Sequence, residues 1–120
     1  MLFDTTQLAL ERSISGAAQR NEALAANIAN AATPGYQRVD VDFHGALSAA
    51  MGSSDARGAI ERTGFTTQAD RTVGPTRADG GSIDIDAESA KLAANALDQQ
   101  AAVSVAKTRN AILRAAMGVA

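Results

Sequence analysis

The sequence predicts an all-α protein in which a long N-terminal helix and a long C-terminal helix form a coiled-coil pair. Apolar and small residues recur at alternating spacings of four and three near both ends of the chain, whereas the middle has no such period. Aromatic residues make up only 3% of the 120 residues, and alanine supplies most of the apolar content. A single chain therefore has too little large apolar surface for a stable core, and we expect other chains to supply the rest.

Composition excludes several functional classes. A net charge of −2 gives no basic surface for nucleic acid, and the lack of cysteine excludes disulfides and thiol catalysis. No apolar run approaches the roughly 20 residues of a membrane span, so we expect no membrane insertion. The first six residues have neither the basic start nor the apolar run of a signal peptide. We therefore expect any export to proceed without a cleaved signal.

The first helix is predicted from Phe3 to Ile28. Thr5 or Thr6 is the expected N-cap, and Gly16, beside the apolar line, permits another element to approach closely. The line itself alternates steps of four and three and consists of Phe3, Gln7, Leu10, Ile14, Ala17, Asn21, Leu24 and Ile28.

A turn is predicted directly after this helix. Proline disfavours the α region for Thr33, so the helix should end at or before that residue, with Pro34 and Gly35 at the centre of a type II turn. Asn27 and Asn30 stand three residues apart just before it. From the residues alone two readings stay open: Asn30 simply ends the helix, or both amides hold the backbone of a partner.

The middle of the chain gives weaker signals. Residues 36–43 alternate apolar and polar side chains, which predicts a short extended segment, and Ala46 to Ala50 completes a short helix. Gly52 to Ala78 is rich in glycine, serine, threonine and charged residues, and we expect it to be disordered in a free monomer. His44, the only histidine, is given no catalytic role.

The second helix is predicted from about Ala87 to Met117, with Asp86 as its N-cap. Its 4-3 line consists of Leu92, Ala96, Gln99, Val103, Ala106, Asn110, Leu113 and Met117. Before this helix, Ile83 and Ile85 alternate with Asp84 and Asp86. These acids do not form a calcium loop of the EF-hand type, because its acid spacing and central glycine are absent. We therefore predict no metal site and no cofactor.

Two segments carry a resemblance to a known family. Residues 24–36, LAANIANAATPGY, resemble the N-terminal signature that rod and hook proteins of the bacterial flagellar axis share. Residues 79–86, DGGSIDID, followed by Glu88 and residues 92–97, LAANAL, are similar to the start of the C-terminal helix in the FlgB family of proximal rod proteins. Gly81 stands where that family commonly has asparagine, and Asp98-Gln99 stands where an aromatic residue is frequent.

The resemblance implies a structural subunit of the periplasmic rod, with helices that pack against those of neighbouring subunits into a helical tube. It implies self-association, contacts with the adaptor FliE and the rod protein FlgC, and export through the flagellar type III apparatus. The residues expected at the assembly interface are Leu24, Asn27, Ile28, Asn30, Thr33, Pro34, Gly35, Tyr36, Asp84, Asp86, Leu92, Asn95, Val103 and Leu113.

We divide the chain into an N-terminal helix and turn segment (1–44), an irregular middle (45–85) and a C-terminal helix (86–120). Three alternatives to the rod subunit of the FlgB family are a sister protein of the FlgC type, a coiled-coil adaptor and an enzyme. The adaptor leaves the two asparagines and their turn unexplained. The enzyme would need Asp42, His44 and the acids near residue 86 to be enclosed in a pocket, for which the chain offers no walls. We therefore predict no catalytic residues.

Overall fold

The computed structural model describes residues 4–70, 81 and 83–118. It confirms an all-α protein whose long first and last helices pack together, in a molecule of 63 × 32 × 15 Å. None of the helices in this described part of the chain has the length and hydropathy needed to cross a membrane. In chain order the elements are α1 (Thr5–Ala29), β1 (Val39–Asp40), α2 (Phe43–Met51), α3 (Ala56–Arg62), β2 (Gln68–Ala69) and α4 (Ile85–Ala116).

Helices α1 and α4 run antiparallel. Near one end of the pair Asp4 contacts Arg109, and in the middle Asn95 donates a hydrogen bond to the carbonyl of Ala17. Near the other end Asn27 donates to Glu88. Residue numbers thus rise along one helix as they fall along the other, which places the start of α4 beside the end of α1.

The lines of residues that face each other differ from the predicted ones. Asn21 is exposed rather than part of the contact. On α4 the buried and half-buried line is Glu88, Leu92, Asn95, Gln99, Ala102, Ala106, Arg109 and Leu113. It shares every second member with the predicted line, because two overlapping 4-3 patterns run along this helix. Because Glu88, Asn95 and Arg109 make polar contacts with α1, the observed line rather than the predicted one faces α1.

The N-cap of α1 is Asp4 rather than Thr5 or Thr6. Its carboxylate accepts a hydrogen bond from the backbone N–H of Gln7 at 2.9 Å, and the helix begins at Thr5. This N–H holds the pKa of Asp4 below its ordinary value, against the effect of burial and with help from Arg109. An aspartate one residue upstream thus outcompetes the two threonines, because a carboxylate is favoured at the positive end of the helix dipole.

The N-cap of α4 is Asp84 rather than Asp86. Its carboxylate accepts from the backbone N–H groups of Asp86 and Ala87 at 3.0 and 3.2 Å, and Ile85 is already helical. Asp86 lies in the first turn instead, where its charge also favours the helix dipole.

The middle of the chain is more regular than predicted. α2 begins at Phe43, the last residue of the segment predicted to be extended, and α3 lies within the stretch expected to be disordered in a free monomer. Asp55 caps α3 by accepting from the N–H of Gly58 at 3.0 Å, and Ile60 is fully buried in the core. Tertiary packing of a few apolar side chains therefore orders this segment despite its polar composition. Residues 71–80 of that stretch lie outside the described residues.

Phe43 lies directly on Gly16, which confirms that this glycine permits a close approach. The approaching element is α2 rather than α4: a Cβ built on Gly16 would lie 2.5 Å from the Cβ of Phe43. Phe43 is fully buried, and its ring makes an edge contact with Phe65 at a centroid distance of 6.2 Å. The core of the molecule therefore lies on the α2 side of α1, and the opposite helix α4 adds few large side chains to it.

Candidate functional site

Asn30 ends α1. The last helical residue is Ala29, and the Asn30 side chain donates to the carbonyl of Ala26 at 2.8 Å. Thr33 then returns to Asn30 twice, through its backbone N–H at 2.9 Å and its hydroxyl at 3.2 Å. These bonds satisfy groups at the helix end that would otherwise lack partners. The simpler of the two readings therefore describes what Asn30 does within the chain.

The type II turn after the helix is confirmed. Gly35 has a φ of +74°, the left-handed value that this turn requires at its third position, and the N–H of Tyr36 donates to the carbonyl of Thr33 at 3.2 Å. Thr33, Pro34 and Gly35 are all exposed, so the turn protrudes beside the start of α4.

Asn27 is fully buried and holds the returning chain. Its Nδ2 donates to the carbonyl of Val39 at 2.7 Å, and its Oδ1 accepts from the N–H of the same residue at 2.9 Å. The hydroxyl of Tyr36 donates to that oxygen at 3.4 Å. The Asn27 amide thus makes the two backbone hydrogen bonds that a neighbouring strand would make, and it fixes the extended segment on α1.

Arg38 and Glu88 join the returning chain to α4. The Glu88 side chain is 2% exposed and accepts from Arg38 Nε and, at 3.0 Å, from Asn27 Nδ2. Arg38 also binds Asp40 at 3.0 Å and Asp70. Burial disfavours the charge on Arg38, but the bonds to Glu88 and Asp40 outweigh it and raise its pKa. We call Asn27, Arg38 and Glu88 the clamp, since together they tie α1, β1 and α4.

Asp40 is shared between the clamp and a second arginine. Arg20 Nε donates to Asp40 at 2.9 Å, and the N–H of Val41 donates to the same carboxylate at 2.7 Å. Burial raises the pKa of Asp40, but the hydrogen bonds from Arg20 and Arg38 prevail, and the net pKa lies below its ordinary value. Ionised Asp40 therefore contributes to holding β1 against α1.

Sequence reasoning missed Arg38 and Glu88 as site residues. Glu88 entered only through the family resemblance and among the acids near residue 86, and Arg38 only as a polar residue of the alternating segment 36–43. The available signal was the 4-3 line through Leu92 and Asn95, which places Glu88 on the face towards α1. A carboxylate on that face requires a cationic partner, and Arg38 is the basic residue nearest the predicted turn.

His44 lies on the surface at the start of α2. Its side chain is 61% exposed, stacks beside Phe43, and has its Nε2 3.4 Å from the carboxylate of Asp98. Within the described ranges no three histidine, aspartate or glutamate side chains lie close enough to hold a metal ion.

The residues expected at the assembly interface fall into three groups. Their intersubunit role stays a prediction, but their exposure differs. Leu24, Asn27 and Asn95 are fully buried within the subunit; Ile28, Asn30, Tyr36, Leu92, Val103 and Leu113 are partly buried; Thr33, Pro34, Gly35, Asp84 and Asp86 are exposed. The third group lies at one end of the helix pair, where α1 ends and α4 begins.

A second candidate surface was not predicted. On the outer side of α4, Leu97, Val105 and Ile112 are 66%, 54% and 64% exposed. Together with Ala101 and Thr108 they form another line of mostly apolar residues along α4. The sequence contains this line, but the 4-3 line through Leu92 and Leu113 is the stronger signal. Polar residues Gln100, Lys107 and Arg114 occupy a different exposed side of α4.

This surface extends across α1 to α2. A groove of about 570 Å³ between α1 and α4 has Leu10, Val105 and Ile112 among its walls. A neighbouring groove of about 500 Å³ between α1 and α2 is bounded by Leu10, Leu47 and Met51. Leu10 lines both grooves, so the two grooves adjoin; Leu97 lies on α4 eight residues before Val105 and lines neither groove. We call Leu10, Met51, Leu97, Val105 and Ile112 the apolar face.

Relatives of the chain are flagellar proteins, although no protein-family model matches it. It is 39% identical over 102 residues to the flagellar basal body rod protein FlgB of Escherichia coli, with 72% of this chain and 74% of the relative covered. The protein of the same name from Proteus mirabilis is 38% identical over 101 residues, with 72% and 74% covered. That from Salmonella typhimurium is 36% identical over 108 residues, with 73% and 75% covered.

These matches extend over most of both partners in each comparison, and all three relatives carry the same description. They give the same family as the sequence signatures around the type II turn and the start of α4. The chain therefore belongs to the FlgB family of flagellar basal body rod proteins.

Proposed function

We propose that this chain is a structural subunit of the proximal rod, which links the inner-membrane ring to the distal rod, transmits torque and catalyses no reaction. The observation that carries the proposal is the apolar face. Three of its side chains protrude from α4 with more than half of their surface exposed. Contiguous apolar surface of this kind marks a site of protein association.

The amount of buried surface also favours assembly. Among the described residues only a few large apolar side chains are fully buried, led by Phe43, Leu24 and Ile60. Covering the apolar face with neighbouring chains would add the hydrophobic stabilisation that one chain lacks. The clamp would keep the turn and the two long helices in a fixed relation, as torque transmission requires of a subunit.

Two different surfaces suit an assembly that grows along an axis. A contact between unlike surfaces does not close by two-fold symmetry and can continue from subunit to subunit. The apolar face supplies one surface. The exposed turn at Thr33 to Gly35, with Asp84 and Asp86 beside it, supplies the other. In this proposal Asn27 and Asn95 act indirectly, by holding these surfaces in place.

The proposed partners are other copies of the chain, the adaptor FliE, the rod protein FlgC and the flagellar type III export apparatus. The proposed location is the periplasmic rod, reached without a cleaved signal peptide. We also keep the division into residues 1–44, 45–85 and 86–120, with the outer segments forming the packed helices of the rod and the middle lying against them.

Charge on the apolar face tests the proposal. In the bacterium that encodes the chain, the gene is replaced by a variant carrying Val105→Asp and Ile112→Asp, and basal bodies are isolated for electron microscopy. We expect no rods and no swimming. Gln100→Asp adds a charge to the polar side of the same helix and serves as the matched control, with normal rods expected. Normal rods in the double variant would overturn the proposal.

A further inference from the structure

Asn95 is a fully buried amide in the middle of the contact between α1 and α4. Its Nδ2 donates to the carbonyl of Ala17 at 2.8 Å, and Ala17 is itself 1% exposed. Its Oδ1 is buried with no hydrogen-bond partner among the residues described. A buried polar atom without a partner destabilises the fold, so stability alone does not explain an asparagine here.

The apolar pattern of the two helices does not define a single alignment. Leu10, Ala17 and Leu24 stand seven residues apart on α1, and Leu92, Gln99, Ala106 and Leu113 repeat with the same interval on α4. Sliding one helix past the other by seven residues therefore keeps mostly apolar or small positions opposite each other, with the polar Gln99 as the exception. Such repeats are prone to register slips unless a polar residue selects one alignment.

Only one of these alignments suits Asn95. In the observed register it faces Ala17, whose small side chain leaves the helix carbonyl within reach. A slip of seven residues in either direction would bring Asn95 opposite Leu10 or Leu24. A leucine side chain covers the backbone beneath it, and both polar atoms of the buried amide would then lack partners, at the full desolvation penalty.

The other polar contacts between the helices lie nearer their ends. Arg109 contacts Asp4, and both side chains are partly exposed. Glu88 accepts from Asn27 of α1 at 3.0 Å and from Arg38 of the returning chain, so this buried contact opposes a slip as well. Asn95 differs in its position, because it bonds an α1 backbone carbonyl in the middle of the pair.

We propose that Asn95, together with Ala17, sets the register of the antiparallel pair of α1 and α4. A slip of seven residues would move α4 by about 10 Å along α1. Because Val105 and Ile112 are seven residues apart, such a slip would bring one of them to the place of the other beside Leu10, and would change which residues of α1 each one faces. Asn95 thus acts as a register-setting residue, at some cost in stability.

Distance measurement between spin labels tests this. The described chain has no cysteine, so labels attach only at introduced Glu22→Cys and Lys107→Cys, both at exposed positions on the two helices. The parent protein should give one distance. Adding Asn95→Ala should produce a second population displaced by about 10 Å, the length of seven helical residues. A single parental distance in a variant that keeps its helical circular dichroism overturns the proposal.

A control separates register from general loss of polarity. Gln99 is partly buried on the same line of α4, and Gln99→Leu should leave the single parental distance unchanged. A second population in Gln99→Leu equal to that in Asn95→Ala would show that any change on this line moves the helices, and would also overturn the proposal. Should Asn95→Ala fail to fold, Asn95→Leu is judged by the same criterion.

Discussion

Asn27 holds the backbone of Val39 with both atoms of its amide, donating to the carbonyl at 2.7 Å and accepting from the N–H at 2.9 Å. Asn27→Ala would leave both backbone groups without these partners. We expect a loss of about 1–3 kcal/mol in the free energy of unfolding, measured in urea. Helical circular dichroism should change little, because α1 continues past this position.

Asn21→Ala is the control for that measurement, since Asn21 is exposed on the same helix. We expect its free energy of unfolding to stay within about 0.5 kcal/mol of the parent. Equal effects of the two substitutions would show that Asn27 contributes only its helix propensity. Asn27 would then have no role in the clamp.

Arg38→Met removes the cation that neutralises Glu88, whose side chain is 2% exposed. Breaking a buried ion pair from one side costs about 3–5 kcal/mol, because the remaining charge is left uncompensated. The double variant Arg38→Met with Glu88→Leu should recover part of that loss. A double-mutant cycle in urea measures the coupling between the two residues.

The matched control is Arg62→Met, which breaks an exposed pair with Asp55 in which the two side chains are 72% and 68% exposed. Pairs of this kind contribute about 0–1 kcal/mol. If Arg38→Met is no more harmful than Arg62→Met, the buried pair does not hold α4 to the returning chain.

Gly16→Ala tests the close approach of Phe43. Alanine gains about 1 kcal/mol in helix propensity over glycine, but its Cβ would lie 2.5 to 2.9 Å from three carbon atoms of Phe43. Overpacking of a core typically costs about 1–3 kcal/mol. We expect a net loss of stability, measured as a lower melting temperature.

Gly52→Ala is the control for this test. A Cβ at Gly52 meets its nearest atoms at 3.6 and 3.7 Å, which is ordinary contact. Its melting temperature should match the parent. A rise in stability for Gly16→Ala would contradict the prediction, because it would show that Phe43 moves away from the added methyl group at little cost.

Acid should weaken the molecule partly through Asp40. Its pKa is lowered in the folded chain from an ordinary value of 3.8. A carboxyl with a lowered folded pKa stabilises the fold above its unfolded pKa, and that contribution is lost as the pH falls from about 4 through the folded pKa. Asp40→Asn should therefore flatten the acid side of the stability profile, followed by urea unfolding between about pH 2 and 6. An unchanged slope would contradict this assignment.

Local signals predicted most of the long elements. The two terminal helices follow from spacing and the type II turn from Thr33-Pro34-Gly35, because these depend on neighbouring residues. The N-caps were displaced by one or two residues, since several acceptable capping residues stand side by side at each helix start.

The rest depends on distant contacts. Glu88 meets Asn27 across 61 residues and Arg38 across 50, so no local pattern shows that they form a clamp. The order of α3 depends on Ile60 reaching the core, which its polar neighbours conceal. Which of the two overlapping 4-3 lines of α4 faces α1 likewise depends on single polar contacts, such as that of Asn95 with Ala17.

Burial of the apolar face in the assembled rod is the central claim, and the reactivity of one thiol tests it most directly. Ile112, 64% exposed in the single chain, is replaced by Ile112→Cys in a chain whose described part has no cysteine. We expect fast labelling by a maleimide in the purified chain, protection in isolated basal bodies, and full labelling again after the rods are dissolved. Equally fast labelling of the intact basal bodies would contradict the account.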